Sequence, residues 1–224
     1  MQPFFNFRYN IFMIKLIAYL GNYGAEYNLT RHNVAWFFAD SMPWANKLYW
    51  QSKFKGQFAS CTPAELAQWA CDAGVASKKD GSPFHVPEDA PDHIYFIKPE
   101  TYMNLSGESI IEVANFYKIK PEEILVIHDE LELAPGFYSF KWSGGLGGHN
   151  GLRSMKTCFG TADFFRMRFG IGRPNHNDIA GYVLSRFSED EQIHLRQVFV
   201  AATQKLIKVL FSKKPEDFVG KWDV

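Results

Sequence analysis

The chain has 224 residues, 46% hydrophobic and 21% charged, with an aromatic share of 17% that includes 21 phenylalanines. This composition excludes disorder and leaves room for one substantial core rather than two full domains. A formal net charge of zero predicts neither nucleic-acid nor membrane affinity, and no apolar run approaches the ~18 residues of a membrane span.

Three cysteines, Cys61, Cys71 and Cys158, form an odd set without Cys-x-x-Cys spacing, which reads as reduced thiols in a cytoplasmic protein. The apolar N-terminus is interrupted by Lys15 and followed by no small-residue cleavage site, unlike a secretory signal. Residues 1–12 read as an extension ahead of a single domain over 13–224. Charge is unevenly spread. Lys141, Arg153, Lys156, Arg166, Arg168 and Arg173 face a single acid, Asp163, between 141 and 173, whereas 121–133 holds five acids and no Lys or Arg. The basic stretch is either a solvated face or a surface that meets phosphates.

Along the chain, Ile14–Leu20 reads as a strand stopped by the turn chemistry of Gly21-Asn22-Tyr23-Gly24. Thr30 is positioned to cap a helix running to Ser41, ahead of Pro43. A short strand over Gln57–Cys61 precedes a helix over Thr62–Ala76 with Pro63 in its first turn. Residues 77–91, rich in Lys, Asp, Gly and Pro, read as a surface excursion. His93–Lys98 is a strand, and a helix opens at Ser106 or Gly107 and runs to Tyr117. Glu123–Ile127 reads as a strand buried on both faces, since Ile124–Ile127 is a continuous apolar run. The alternation in Phe137–Trp142 gives another strand, followed by a glycine-rich loop over 143–148. A helix over Asn150–Cys158, a strand over Arg166–Ile171 and an amphipathic helix over Glu189–Phe211 complete the set. Strands alternating with helices predict an α/β domain with a twisted, mostly parallel or mixed sheet covered on both faces.

Several routes to chemistry are closed. The seven histidines show no metal-ligand spacing. The Gly144–Gly151 stretch lacks both the P-loop Lys-Ser/Thr and the dinucleotide glycine spacing, and no Gly-x-Ser-x-Gly elbow is present. No cofactor and no metal are expected. What remains is polar residues at strand ends and in loops: Gly21-Asn22, His32-Asn33, Met103-Asn104, His128-Asp129 and His149-Asn150. Each alone reads as a cap or turn residue. Asp129, expected directly after the buried strand, would sit at the sheet edge, where it could orient an imidazole to activate water.

These places fall within five ordered blocks. The first is Leu20-Gly21-Asn22-x-Gly24-x-x-Tyr27-x-x-Thr30-Arg31-His32-Asn33, and the second Lys98-Pro99-x-Thr101-Tyr102-Met103-Asn104-x-Ser106-Gly107. His128-Asp129-Glu130-Leu131-Glu132-Leu133-x-Pro135-Gly136 follows, then Gly144-Gly145-x-Gly147-Gly148-His149-Asn150-Gly151-Leu152, then 166–174. Over Met13–Phe187 the sequence resembles the bacterial-type peptidyl-tRNA hydrolases. The resemblance implies cleavage of the ester between a peptide and the terminal ribose of tRNA, with peptidyl-tRNA as partner and no membrane. It implies His32 as general base, Asp129 as its orienting carboxylate and Asn22 as the residue recognising the acylated α-amino group. Asn104 and Asn150 would hold substrate and attacking water; Tyr27, Tyr102 and Met103 would line the substrate groove. Lys141, Arg153 and Arg168 would meet tRNA phosphates, and the protein is expected to be a monomer. The chain departs from the family pattern in three places. Tyr23 replaces a usual Pro, Ser139 replaces a common Lys, and 62–91 reads as an insertion. Two other readings stay open, a non-catalytic RNA-binding relative and a metal-free esterase on small substrates.

Overall fold

The computed structural model describes residues 13–75, 81–82, 84–175 and 177–223. The predicted extension over 1–12 lies outside the described residues, as do 76, the end of the predicted helix over 62–76, and 77–80 and 83 of the predicted excursion. Among the described residues, eight strands form one sheet: β1 (Leu16–Tyr19), β2 (Gln51–Lys53), β3 (Gly56–Cys61), β4 (Ile94–Pro99), β5 (Ile124–Glu130), β6 (Phe137–Trp142), β7 (Phe165–Gly170) and β8 (Gly220–Asp223). Their order is β2-β3-β4-β1-β5-β7-β6-β8. The helices are α1 (Val34–Ser41), α2 (Pro63–Asp72), α3 (Ser106–Tyr117), α4 (Asn150–Phe159), α5 (Ile179–Leu184) and α6 (Glu189–Leu210). Among the described residues no helix is long and apolar enough to cross a membrane.

The sheet is mixed. Only the three central pairings, β4–β1, β1–β5 and β5–β7, are parallel; those outside them are antiparallel. Successive residues of the central strands supply two cores, as a period of two requires. Ile17, Tyr19, Leu125 and Ile127 pack with α1, α2 and α6 on one face. Leu16, Ala18, Ile124 and Val126 pack with α3 and α4 on the other. Complete burial of such a side chain contributes roughly 1.5–3 kcal/mol, so these strands anchor the fold from both sides.

Several boundaries differ from the sequence reading. Thr30 caps no α-helix: its hydroxyl donates to the Tyr27 carbonyl (2.8 Å), and a 3₁₀ turn over Arg31–Asn33 precedes α1. The helix predicted over 62–76 is α2 alone, started by a reciprocal capping box between Thr62 and Glu65. β5 runs three residues beyond the predicted strand, because β7 continues to pair with it as far as Glu130 opposite Gly170. His128 and Asp129 are therefore inside a strand rather than after it. Short elements escaped the sequence reading altogether: β2, β8 and α5.

Because β4, β1, β5 and β7 run parallel, their carboxyl ends open on one edge. There the chain turns at Gly21-Asn22, at Glu100–Met103, after Glu130 and after Gly170. The amino ends of α3 and α4 meet at the same edge. Their spacing is set by Gly107, where a Cβ would fall on the Ser154 carbonyl; the Gly107 N–H donates to Ser154 Oγ at 2.9 Å. Replacing a helical Gly by Ala ordinarily gains up to about 1 kcal/mol. Gly107→Ala is expected instead to lose roughly 1–3 kcal/mol by overpacking, read as a lower midpoint in urea unfolding.

Candidate active site at the carboxyl edge of the sheet

Asp129 brings two imidazoles together. Its Oδ1 accepts from His32 Nδ1 at 2.8 Å and from His149 Nε2 at 3.0 Å, and the two rings lie 4.9 Å apart. Asp129 is 3% exposed and His32 9%. Burial pushes the Asp129 carboxyl upward, but the charges and hydrogen bonds of His32 and His149 outweigh it and hold it well below the usual carboxylate range. Burial likewise pulls His32 down, while the Asp129 charge and hydrogen bond more than offset this and raise it above its ordinary value.

The hydrogen positions follow from the partners. A carboxylate can only accept, so His32 carries its hydrogen on Nδ1 and presents Nε2 as a lone pair. His149 uses Nδ1 to accept from the N–H groups of Gly151 (3.1 Å) and Leu152 (3.4 Å), capping α4 with an imidazole; its hydrogen is on Nε2. Behind it, His128 donates from Nδ1 to the Asp129 carbonyl at 2.6 Å and packs edge-on against His149. Burial, with His149 nearby, drives His128 well below its ordinary pKa. Among the described residues, ligand atoms of His32, Asp129 and His149 lie within 4.8 Å of one another, a set whose types could hold a metal ion. His149 fits that role badly. Freeing Nε2 for a metal would put a hydrogen on Nδ1, facing two backbone N–H donors.

Asn22 is held from both sides. Its backbone N–H donates to Asn33 Oδ1 and its carbonyl accepts from Asn33 Nδ2, each at 2.9 Å. Its side-chain Oδ1 accepts from the Met103 N–H at 2.8 Å, which leaves the NH₂ end as donor. The pose thus depends on Asn33 and Met103 rather than on residue 23, and the Tyr23 ring is exposed.

A cavity of about 400 Å³ is lined by the polar residues His32, Asp129, His149 and Asn150 and by apolar ones that include Leu146, Ile179 and Val183. Asn104 lies outside it, in a neighbouring concavity shared with Asn150, Arg153 and Cys158; Asn150 lies between the two. Tyr27 and Tyr102 meet edge to face at 6.3 Å. Tyr102 adopts φ 61°, a left-handed conformation that costs a non-glycine residue roughly 1–3 kcal/mol. Met103 does not line a groove as expected. Its side chain is buried in the second core, beneath Gly151, and its contact with the site is the backbone N–H on Asn22.

The basic stretch is partly consumed inside the protein. Arg166 is buried and donates to the Gly145 (2.8 Å) and Gly144 (3.0 Å) carbonyls, clamping the glycine-rich loop; burial and then Arg168 depress it to about 10. Arg168 pairs with Glu130 at 2.9 Å and donates from Nε to Ser139 Oγ at 2.9 Å, so Ser139 orients one cation instead of supplying another. Arg173 pairs with Glu132. Lys141, lowered by burial and then by Arg168 and Arg166, stands opposite Arg166 in the β6–β7 pairing. Arg153 is exposed and donates to Asn150 Oδ1 at 3.1 Å.

Sequence reasoning placed His149 and Asn33 among the polar residues of loops but gave neither a role in the site. His149 directly precedes a predicted helix start, yet histidine is not a usual cap, and the partners of Asn33 are set only by the fold.

A sequence model of the peptidyl-tRNA hydrolase family matches residues 16–222. The peptidyl-tRNA hydrolase of Neisseria meningitidis serogroup C is 38% identical over 211 residues, covering 94% of this chain and 93% of that protein. That of Treponema pallidum is 42% identical over 177 residues, covering 78% and 76% respectively. The crystal structure of peptidyl-tRNA hydrolase from Acinetobacter baumannii is similar with a TM-score of 0.70 and 32% identity, covering 92% of each chain. The chain belongs to the peptidyl-tRNA hydrolase family.

Proposed function

We propose that the protein hydrolyses the ester joining peptide to tRNA in peptidyl-tRNA, releasing both for reuse in translation, with water activated by His32 and His32 oriented by Asp129. The observation that carries this reading is the pinned Nδ1 of His32. It fixes the ring and leaves Nε2 as the base of a residue that lines the cavity. A neutral imidazole takes a proton from water there, and the resulting hydroxide attacks the ester carbonyl. Asp129 holds the tautomer and stabilises the imidazolium, as in a Ser–His–Asp triad with water in place of Ser. The tetrahedral intermediate then expels the ribose oxygen, which takes the proton back from His32.

In this reading the Asn22 NH₂ group meets the acylated end of the peptide. Asn104 and Asn150 hold substrate and water, and their amides donate to the developing oxyanion at any pH. Tyr27 and Tyr102 flank the terminal adenosine and peptide. Lys141, Arg153 and Arg168 meet phosphates, a term that weakens with salt.

His32→Ala should lower peptide release from N-blocked aminoacyl-tRNA by roughly 10²–10⁴-fold, with the circular dichroism of the fold unchanged. Turnover near the wild-type rate would sink the assignment. Preference for the free ester of a blocked amino acid over the tRNA ester would support a small-substrate esterase instead.

His32 acts as a base only when neutral, and its pKa is raised above 6.5. The acid limb of kcat/KM should therefore have its midpoint above that value. Asp129→Asn removes the carboxylate charge, the larger raising cause, and leaves burial, so the limb should move to lower pH while the plateau falls. An unmoved limb would show that another group titrates.

Release should slow as salt is added, and Arg153→Ala should reduce the slope of log kcat/KM against log salt by about 1. An unchanged slope would remove Arg153 from the phosphate contacts.

A further inference from the structure

Arg31 directly precedes the proposed base, yet it does not line the cavity. Its Nη1 donates to Ser185 Oγ and to the Arg186 carbonyl, each at 2.8 Å, and its Nη2 to Glu191 Oε1 at 2.6 Å. The guanidinium lies 4.7 Å from the centre of the Tyr182 ring and 5.2 Å from that of Phe187. The backbone joins in. Arg31 N–H donates to the Ser185 carbonyl at 3.0 Å and Phe187 N–H to the Leu29 carbonyl at 2.9 Å, and Thr30 forms a bridge with Arg186. Glu191 is committed on both oxygens, the second accepting from the Ser188 N–H at 2.7 Å to cap α6.

This cluster joins two walls of the site. α5, which carries Tyr182, also supplies Ile179, Ala180 and Val183 to the cavity. Its far side is tied to the sheet edge where Tyr182 donates to the Ile171 carbonyl. On the other side is a three-residue 3₁₀ turn, whose own hydrogen bonds are too poor to hold His32 rigidly. The flanks do so instead, Asn33 through Asn22 and Arg31 through 182–191. A planar fork that serves three acceptors and stacks on two rings cannot be replaced by an ammonium. The arrangement also has a cost that simple packing would not require, because the Arg31 side chain is only 11% exposed and its buried Nε finds no hydrogen-bond partner among the described residues.

We propose that Arg31 is a positioning residue for the hydrolysis: its fork ties the turn carrying His32 to α5 and α6, so that the base and the α5 residues lining the cavity are set as one unit. The inference rests on reading His32 as the base.

The test compares Arg31→Lys and the milder Ser185→Ala with wild type and His32→Ala on N-blocked aminoacyl-tRNA. Assays run well below each variant's unfolding midpoint, with kcat and KM measured separately. Arg31→Lys should lower kcat about 10- to 100-fold, the scale of a small misplacement of a reacting group, with KM within about threefold of wild type. The acid limb should also move, because the groups around His32 no longer hold the ring at one distance. Those groups are Asp129 of β5, His149 ahead of α4, and Glu130 and Arg173 lining the same cavity. Ser185→Ala should lower kcat in the same sense by a smaller factor. Unchanged kcat and acid limb in folded Arg31→Lys overturn the proposal, as does a loss that disappears when rates are expressed per folded molecule. If Arg31→Lys does not fold, an unchanged kcat in Ser185→Ala overturns it. Turnover by His32→Ala overturns the base reading itself, and is thereby distinguished from a failure of Arg31 alone.

Discussion

Asp129 is an ionised carboxylate 3% exposed to solvent, accepting from two imidazoles through one oxygen. A buried charge of this kind costs several kcal/mol unless it is paired and hydrogen-bonded, so the elements that bring His32 and His149 to it are constrained together. β5 carries the carboxylate, the turn before α1 carries one ring, and the glycine-rich loop delivers the other at the start of α4. Each element is held in place from outside the site. Asn33 ties the His32 turn to the end of β1, and Arg166 clamps the carbonyls of Gly144 and Gly145. Two backbone N–H groups of α4 fix the His149 ring. Because a single oxygen serves both rings, moving either one unbalances the other.

The distribution of charge follows the same logic. The acids and bases that look segregated along the chain meet in space. Glu130 of the acidic stretch pairs with Arg168 of the basic one, and Glu132 with Arg173. Arg166 goes inward to backbone carbonyls. The apparent local excess of five positive charges is thereby reduced at the surface, with Arg153 an exposed cation next to Asn150 and Lys141 half-buried opposite Arg166. Any phosphate contact on this face depends on few cations, each with a defined neighbour, rather than on a diffuse basic patch. Ser139 is consistent with that economy, since its hydroxyl aims an existing guanidinium.

The polar ligands of the site lie on two levels. His32, Asp129, His149 and Asn150 share the cavity with the α5 wall, whereas Asn104 opens on the adjoining concavity. Asn22 reaches the same edge through the Met103 backbone. That link explains why Met103 is needed there while its side chain is core. The amide N–H does the holding, and the thioether fills the space under Gly151.

Legibility in the sequence tracked how locally each feature is determined. The apolar runs of β1 and β5, the alternation of β6 and the amphipathic period of α6 were readable because burial of one face or both demands those patterns whatever the neighbours are. The five motif blocks placed His32, Asp129 and Asn22 on turns and strand ends, and resemblance supplied their family. Tertiary structure decided what local preference leaves open. β2 and β8 are edge strands that exist because a partner offers hydrogen bonds. The last three residues of β5 are strand because β7 continues alongside. The turn at 31–33 is held through Arg31 to 185–191 and through Asn33 to Asn22. His149 and Arg31 took their places through contacts with Asp129 and with 182–191, residues far away in the chain. Sequence alone specified the strands and helices that burial requires; the pairing of distant polar groups, satisfied only once those elements had packed, specified the site.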